Sequence, residues 1–262
     1  MLKRLLIHIF SILYWTWFVI TNIILFSIAI VIWLLTVLFD KRLVLLHQFS
    51  SLWGFSYIWL NPLWPLKMTG RKNIKWGRTY VIISNHQSML DILVLYGLFR
   101  HYKWVSKKEN FSIPIIGWLM RLNRYIELER GSTGSYLTMM KKIRQTLSDG
   151  NSILMFPEGT RNVRGGGINP FREGAFRMAL ENKIGLIPVV LDGTAYTIPK
   201  GKIILIGKQR LTVKILPEIP YDSFKDKTPK QLMNEVRKLM IREFEEISES
   251  HPVAEADLMT DS

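Results

Sequence analysis

From Leu5 to Phe39 the chain runs "LLIHIFSILYWTWFVITNIILFSIAIVIWLLTVLF" without one Asp, Glu, Lys or Arg. As a helix this run is roughly 50 Å long, against roughly 30 Å of bilayer hydrocarbon. It is too long for the apolar part of a signal peptide, and no small-residue cleavage site follows it. A membrane segment is the expectation. Two arrangements fit: one long tilted span, or a break near Thr21-Asn22 giving two short helices that enter and leave by one face. Lys3 and Arg4 flank one end and Lys41 and Arg42 the other. Basic residues at both ends favour neither orientation of a single span but suit the hairpin.

A second apolar stretch follows, "LVLLHQFSSLWGFSYIWLNPLWPL". Trp53, Tyr57, Trp59 and Trp64 are ring types that settle at a membrane interface, and their position after a membrane segment favours that role over a core helix. Pro62 and Pro65 end the region.

Beyond about Met68 the pattern changes to short β-branched runs separated by helical ones. "TYVIIS", "KWVS", "SILMF", "GLIPVVL", "KIILIG" and "LTVKIL" read as buried strands. "SMLDILVLYGLF", "SYLTMMKKIRQTL" and "GAFRMALENK" read as helices, the second closed by Gly150. "TPKQ" offers a capping box, with Thr228 as N-cap, Pro229 first in the helix and Gln231 reaching back. Leu232, Val236, Leu239, Met240 and Phe244 then keep helical spacing. Strands alternating with helices predict an α/β fold: a mixed, mostly parallel sheet flanked by helices, behind an N-terminal membrane-anchoring segment. The expected divisions are residues 1–65 (membrane and interfacial helices), 66–249 (α/β domain) and 250–262 (a tail without apolar period, expected to be disordered).

Two short segments carry candidate chemistry. In "SNHQSMLD", residues 84 to 91, His86 follows a strand and Asp91 falls in the first turns of the next helix. An aspartate on one imidazole nitrogen fixes the tautomer and leaves the other free to take a proton. In isolation, a capping Asp91 and a packed His86 explain the pattern equally. Ser88 lacks the G-x-S-x-G elbow of an α/β hydrolase and reads as the helix N-cap. In "LMFPEGTRN", residues 154 to 162, Glu158, Gly159, Thr160 and Arg161 form a tight turn after a strand. Gly159 permits close backbone approach and Arg161 offers a planar fork for two phosphate oxygens. The bland alternative is a turn closed by a Glu158–Arg161 ion pair. "RGGGINPFREGAF" adds Arg164 and Arg172 but no phosphate loop. Cysteine is absent, which removes disulfides, thiolate catalysis and Cys-based zinc sites.

In this order, with about sixty to seventy residues between them, "NHQSMLD" and "FPEGTR" resemble the paired signatures of the glycerophospholipid acyltransferases, most closely the bacterial branch that acts on 1-acyl-glycerol-3-phosphate. The resemblance runs from roughly Gly70 to Leu216. It includes "VSKKENFSIPIIGWLMRLNRYIELERG", with Lys107, Glu109, Pro114, Gly117 and Arg130, then "FREGAF" and "IPVVLDGT", with Pro188 in a structural role. It implies that His86 is the general base and Asp91 its orienting acid. It also implies that Glu158, Gly159, Thr160 and Arg161 contact the phosphate-bearing acceptor, with Lys107 and Arg130 as further basic contacts. "IELER" departs from the Ile-Asp-Arg of many relatives, which bears on Arg130.

The implied reaction deprotonates the free hydroxyl of lysophosphatidic acid, which attacks an acyl thioester without a covalent acyl-enzyme. Acyl-CoA or acyl-carrier protein is the implied donor, with no metal and no other cofactor. A net charge of +14 suits these acidic partners and anionic membrane lipids, so nucleic acid is not an expected partner. The expected location is the bacterial inner membrane, with the catalytic domain on the cytoplasmic face. Other acyl acceptors remain open, although lipid A acyltransferases typically carry Glu where Asp91 stands. A non-enzymatic basic membrane adaptor is the alternative from another class.

Overall fold

The apolar N-terminal run forms one uninterrupted helix in the computed structural model, which describes residues 2–128, 133–162, 167–197 and 208–249. This helix, α1 (Leu2–Thr36), does not break at Thr21-Asn22, so the hairpin expected there does not form. The reason lies in where the two polar side chains go. Thr21 Oγ1 donates to the Trp17 carbonyl (2.7 Å) and Asn22 Nδ2 to that of Phe18 (2.7 Å). Both also meet the Tyr57 hydroxyl on the next helix, at 2.8 and 3.0 Å. The polar pair is a helix–helix contact and leaves the backbone ladder intact. Ile7–Thr36 is long and apolar enough to cross a membrane, and only 11% of its most apolar window is buried, unlike a core helix. Ile12, Leu35, Leu38 and Phe39 are among its uncovered residues and those just past its end.

Helix α2 (Val44–Trp59) corrects a second expectation. Trp53 and Tyr57 are buried, as is Trp64 beyond the helix, and Trp59 alone of the four rings is exposed. Trp53 and Tyr57 lie one turn apart on the face towards α1, where Trp53 Nε1 donates to the Tyr57 hydroxyl at 3.0 Å. Trp64 packs edge-on against Tyr14 of α1 at 5.7 Å. These rings serve as core between helices and sheet.

The sheet contains β1 (Leu66–Thr69), β2 (Val81–Ser84), β3 (Tyr102–Lys107), β4 (Ile126–Leu128), β5 (Ser152–Met155), β6 (Leu186–Asp192) and β7 (Leu211–Ile215). Their order is β1-β7-β6-β2-β5-β3-β4. Every pairing is parallel except β6 with β7. The expected mostly parallel sheet is present. The short strands β1 and β4 were not anticipated, and "KIILIG" lies outside the described residues, as does the tail 250–262. The central strands β2 and β6 are buried at every residue, which is why they read as unbroken apolar runs.

Helices cover both faces. Ile82, Leu154 and Ile187 point to the side of α2 and α3 (Leu90–Tyr96), while Val81, Ile83 and Ile153 point to the opposite side. That second side is covered by α5 (Thr133–Ser148), α6 (Gly174–Glu181) and α7 (Pro229–Glu249). The short helix α4 (Ile116–Leu122) was not expected from the pattern. The capping box forms as read: Gln231 N donates to Thr228 Oγ1 (3.2 Å), and Thr228 N to Gln231 Oε1 (2.8 Å).

Candidate active site

Strands β2, β3, β4, β5 and β6 run in one direction, so their carboxyl ends form one edge where ligands of such sheets gather. The segments after β2, β5 and β6 interlock there. Asn85 extends the β2–β6 ladder by one step with its side chain: Oδ1 accepts from Leu191 N (2.9 Å), and Nδ2 donates to Leu191 O (2.8 Å). The next residue, His86, is gripped through its backbone by the second motif. Its N–H donates to Glu158 Oε1 (2.8 Å) and its carbonyl accepts from Asn162 N (2.7 Å).

The His86 ring lies flat on Phe156, with centroids 3.9 Å apart and planes within 10°. Nδ1 stands 2.7 Å from Asp91 Oδ2. A carboxylate at Nδ1 makes that nitrogen the N–H donor, leaving Nε2 as the basic atom. Nε2 has no hydrogen-bond partner among the described residues, and the side chain keeps 13% of its surface while Asp91 keeps none. The same Oδ2 accepts from Gln87 N (2.6 Å) and Ser88 N (2.9 Å), and Oδ1 accepts from the Thr194 hydroxyl. The capping and orienting readings of Asp91 thus hold together: one carboxylate fixes the turn and the imidazole.

Ser88 is not the helix N-cap. That position falls on Met89, which makes no side-chain cap bond, and Ser88 Oγ reaches Leu90 N only at 3.4 Å. Asp91 already takes the free N–H groups of the turn. No hydrogen bond joins Ser88 Oγ to His86 among the described residues.

Glu158, expected as an acceptor contact, turns its carboxylate onto backbone groups. It is buried, with Oε1 on His86 N and Oε2 on Asn169 N (3.0 Å), so it braces two loops with both oxygens engaged. Burial raises its pKa to about 7 against the lowering effect of those two backbone donors. It makes no ion pair with Arg161, so the bland account of the turn fails. The turn is closed instead by Gly159 N donating to Phe156 O (3.1 Å), with Gly159 at φ 67° in the left-handed region that favours glycine. Thr160 and Arg161 follow on the surface, at the same sheet edge as His86. Lys107 ends β3, also exposed. It pairs in register with Leu128; Arg130, two residues further on, and Arg164 lie outside the described residues.

Thr194, Phe156, Asn85, Asn162 and Asn169 were not singled out from sequence. Thr194 and Asn162 close "IPVVLDGT" and "LMFPEGTRN", so the signal was their place at the ends of strand-terminating motifs.

Comparison with known proteins places the chain in a family. An Acyltransferase family model matches residues 65–192, from the start of the sheet to the end of β6. The sheep 1-acyl-sn-glycerol-3-phosphate acyltransferase alpha is 30% identical over 210 residues, covering 79% of this chain and 69% of the sheep protein. The chain belongs to the acyltransferase family. A Chlamydomonas reinhardtii 1-acyl-sn-glycerol-3-phosphate acyltransferase is 33% identical over 218 residues, 82% of this chain and 65% of the algal protein. The chloroplastic enzyme BAT2 of Brassica napus is 36% identical over 166 residues, 63% of this chain and 47% of its own. The chain therefore spans about two thirds of the algal relative and about half of the plant one. The crystal structure of the 1-acyl-sn-glycerophosphate (LPA) acyltransferase PlsC from Thermotoga maritima superposes with a TM-score of 0.76. It covers 94% of this chain and 97% of that one at 20% identity, which establishes a common fold.

Proposed function

We propose that the chain moves a fatty acyl group from an acyl thioester to the sn-2 hydroxyl of 1-acyl-glycerol-3-phosphate, giving phosphatidic acid. The observation that carries this reading is the His86–Asp91 pair with an open Nε2, on the same sheet edge as the exposed cations Lys107 and Arg161. The names of the relatives support the acceptor.

His86 Nε2 takes the proton of the sn-2 hydroxyl as its oxygen attacks the thioester carbonyl. Asp91 stabilises the imidazolium that forms. The tetrahedral adduct collapses, the carbon–sulfur bond breaks, and the imidazolium returns the proton to the departing thiolate. No serine is acylated, and no cofactor beyond the thioester takes part. Arg161 holds the acceptor phosphate with its planar fork, Lys107 and Arg130 add charge, and the Gly159-Thr160 backbone lets the phosphate approach. Glu158 acts at one remove, by fixing the His86 backbone. Helix α1 anchors the chain in a membrane, with the catalytic edge reaching lipid acceptors and either acyl-CoA or acyl-carrier protein as donor. In a bacterium this is the inner membrane, catalytic domain to the cytoplasm.

The test is acyl transfer by the purified full chain across a panel of lysophospholipids, with both donors. Lysophosphatidic acid should be the best acceptor, and His86→Ala should lose roughly 10²–10⁴-fold in rate. Absence of transfer to lysophosphatidic acid from either donor would overturn the assignment.

A further inference from the structure

The edge strand β1, three places from β2 in the sheet order, carries a second unassigned feature. β1 runs with β7 and against β6, so it starts level with the carboxyl end of β6 and the segment after Thr69 leads towards the opposite edge. An open groove of about 570 Å³ runs between the end of α2 and β1, from Asn61 and Trp64 to Arg71, within the size range of ligand clefts. Phe55, Ile58, Trp59, Pro62 and Met68 give it an apolar wall, and Arg71 stands in its lining.

The charges around it are unbalanced. From Leu66 to Gly77 the chain has no acidic residue, while Lys67, Arg71, Lys72 and Lys75 are all exposed. Arg71 has no carboxylate partner among the described residues; its Nε meets the Met68 sulfur (3.0 Å), a weak acceptor. Arg71 lies 5.9 Å from the Phe99 ring centre, and the adjacent Arg100 stacks on Trp76 at 4.3 Å. Burial, and then the charge of Arg71, lower the proton affinity of Arg100. Arg100 gives Nε to Ile74 O (2.8 Å) and Nη1 to Phe99 O (3.2 Å), so its Nη2 and the Arg71 guanidinium are the groups that a phosphate can take there.

The groove also adjoins the candidate membrane helix, since Trp64 in its lining packs on Tyr14 of α1 at 5.7 Å. Leu45, Leu52 and Trp59, spaced by two helical turns each, make an uncovered apolar stripe along α2 that leads to it.

We infer that this groove holds one anionic phospholipid of the surrounding membrane, its phosphate on Arg71 and Arg100 and an acyl chain along the Phe55–Trp59 wall. The groove is separated from His86 by β7 and β6, and a lipid in it tethers the β1 side of the domain to the lipid surface. The inference rests on the membrane association proposed above but not on the acyl-transfer chemistry.

The experiment counts lipids retained by the full chain in native mass spectrometry after extraction from phosphatidylcholine vesicles containing a minor fraction of phosphatidylglycerol. Wild type should keep one phosphatidylglycerol in preference to phosphatidylcholine. Arg71→Gln should lower that occupancy about tenfold, the loss of one charge-assisted contact, and Arg71→Gln with Arg100→Gln further. Trp59→Ala, at an exposed ring, should weaken retention while leaving the phosphate contacts. Lys238→Gln, an exposed charge on α7, should change nothing. Acyl transfer and thermal melts run in parallel identify misfolded variants and report separately on the catalytic proposal. Equal retention of phosphatidylcholine, undiminished retention in the double variant, or displacement of the lipid by inorganic phosphate with no effect of Trp59→Ala would each overturn the inference. A raised lysolipid KM in Arg71→Gln would also overturn it, by assigning Arg71 to the acceptor.

Discussion

Asp91→Asn separates the charge of the orienting carboxylate from its shape. Asp91 Oδ2 accepts three N–H groups, from the His86 ring and from Gln87 and Ser88, while Oδ1 accepts the Thr194 hydroxyl. An asparagine with its oxygen in the Oδ2 place keeps all three. Its new NH₂ then faces Thr194 Oγ1, which can turn to accept it and give its own proton to Gln87 Oε1, 3.3 Å away. Fold and tautomer are both retained, and only the negative charge is lost. An ion pair of about 4 Å at an effective dielectric of about 20 is worth about 4 kcal/mol. The neutral hydrogen bond that remains returns about 1 kcal/mol. The net loss of about 3 kcal/mol corresponds to roughly a hundredfold fall in kcat. Asp91→Ala instead leaves the buried N–H groups of Gln87 and Ser88 without acceptors, at about 1–3 kcal/mol each, and should melt clearly lower. Steady-state transfer assays beside thermal melts read both quantities. The reasoning is refuted if folded Asp91→Asn is as inactive as His86→Ala, or if it melts as low as Asp91→Ala.

Ser88→Ala should keep most of its activity, because Ser88 contributes mainly its backbone N–H; a folded but inactive variant would restore the covalent-serine reading. Arg161→Lys should raise the lysolipid KM with kcat less affected, since an ammonium lacks the planar fork, and donor saturation should be near normal. Lys107→Ala should show a milder form of the same defect; an unchanged lysolipid KM in Arg161→Ala would remove the phosphate clamp. Glu158 should give stability a distinctive pH dependence. Its folded pKa, raised to about 7, exceeds the unfolded carboxylate value, so the folded state binds the extra proton between the two. That contribution is present below about pH 4 and is lost as pH rises to about 7, by about 3 kcal/mol in all. Glu158→Gln cannot titrate, so the melting temperature of wild type relative to the variant should fall across that window; a flat difference would show that Glu158 stays ionised throughout.

The alternation of strands and helices was legible in the sequence, since runs such as "YVII" and "LIPVV" are apolar at every position only when both faces are covered. The sequence also put His86 and Asp91 within one strand-to-helix turn, where local chain geometry nearly joins them, while capping and orienting stayed equal readings until the structure showed both at once. The α7 capping box was legible for the same reason, being a contact over three residues. Contacts across long stretches of chain became visible only in the folded molecule. Thr21-Asn22 looked like a break because its polar atoms had no visible partner; the partner is Tyr57, 35 and 36 residues on. The Trp-rich stretch looked interfacial because composition does not reveal which face α1 covers. The resemblance put Glu158 among the acceptor contacts; only folding shows its carboxylate turned inward onto the backbone of His86, 72 residues earlier. Thr194 joins Asp91 across 103 residues for a similar reason: parallel strands bring distant carboxyl ends to one edge, and no local spacing records which side chains meet there.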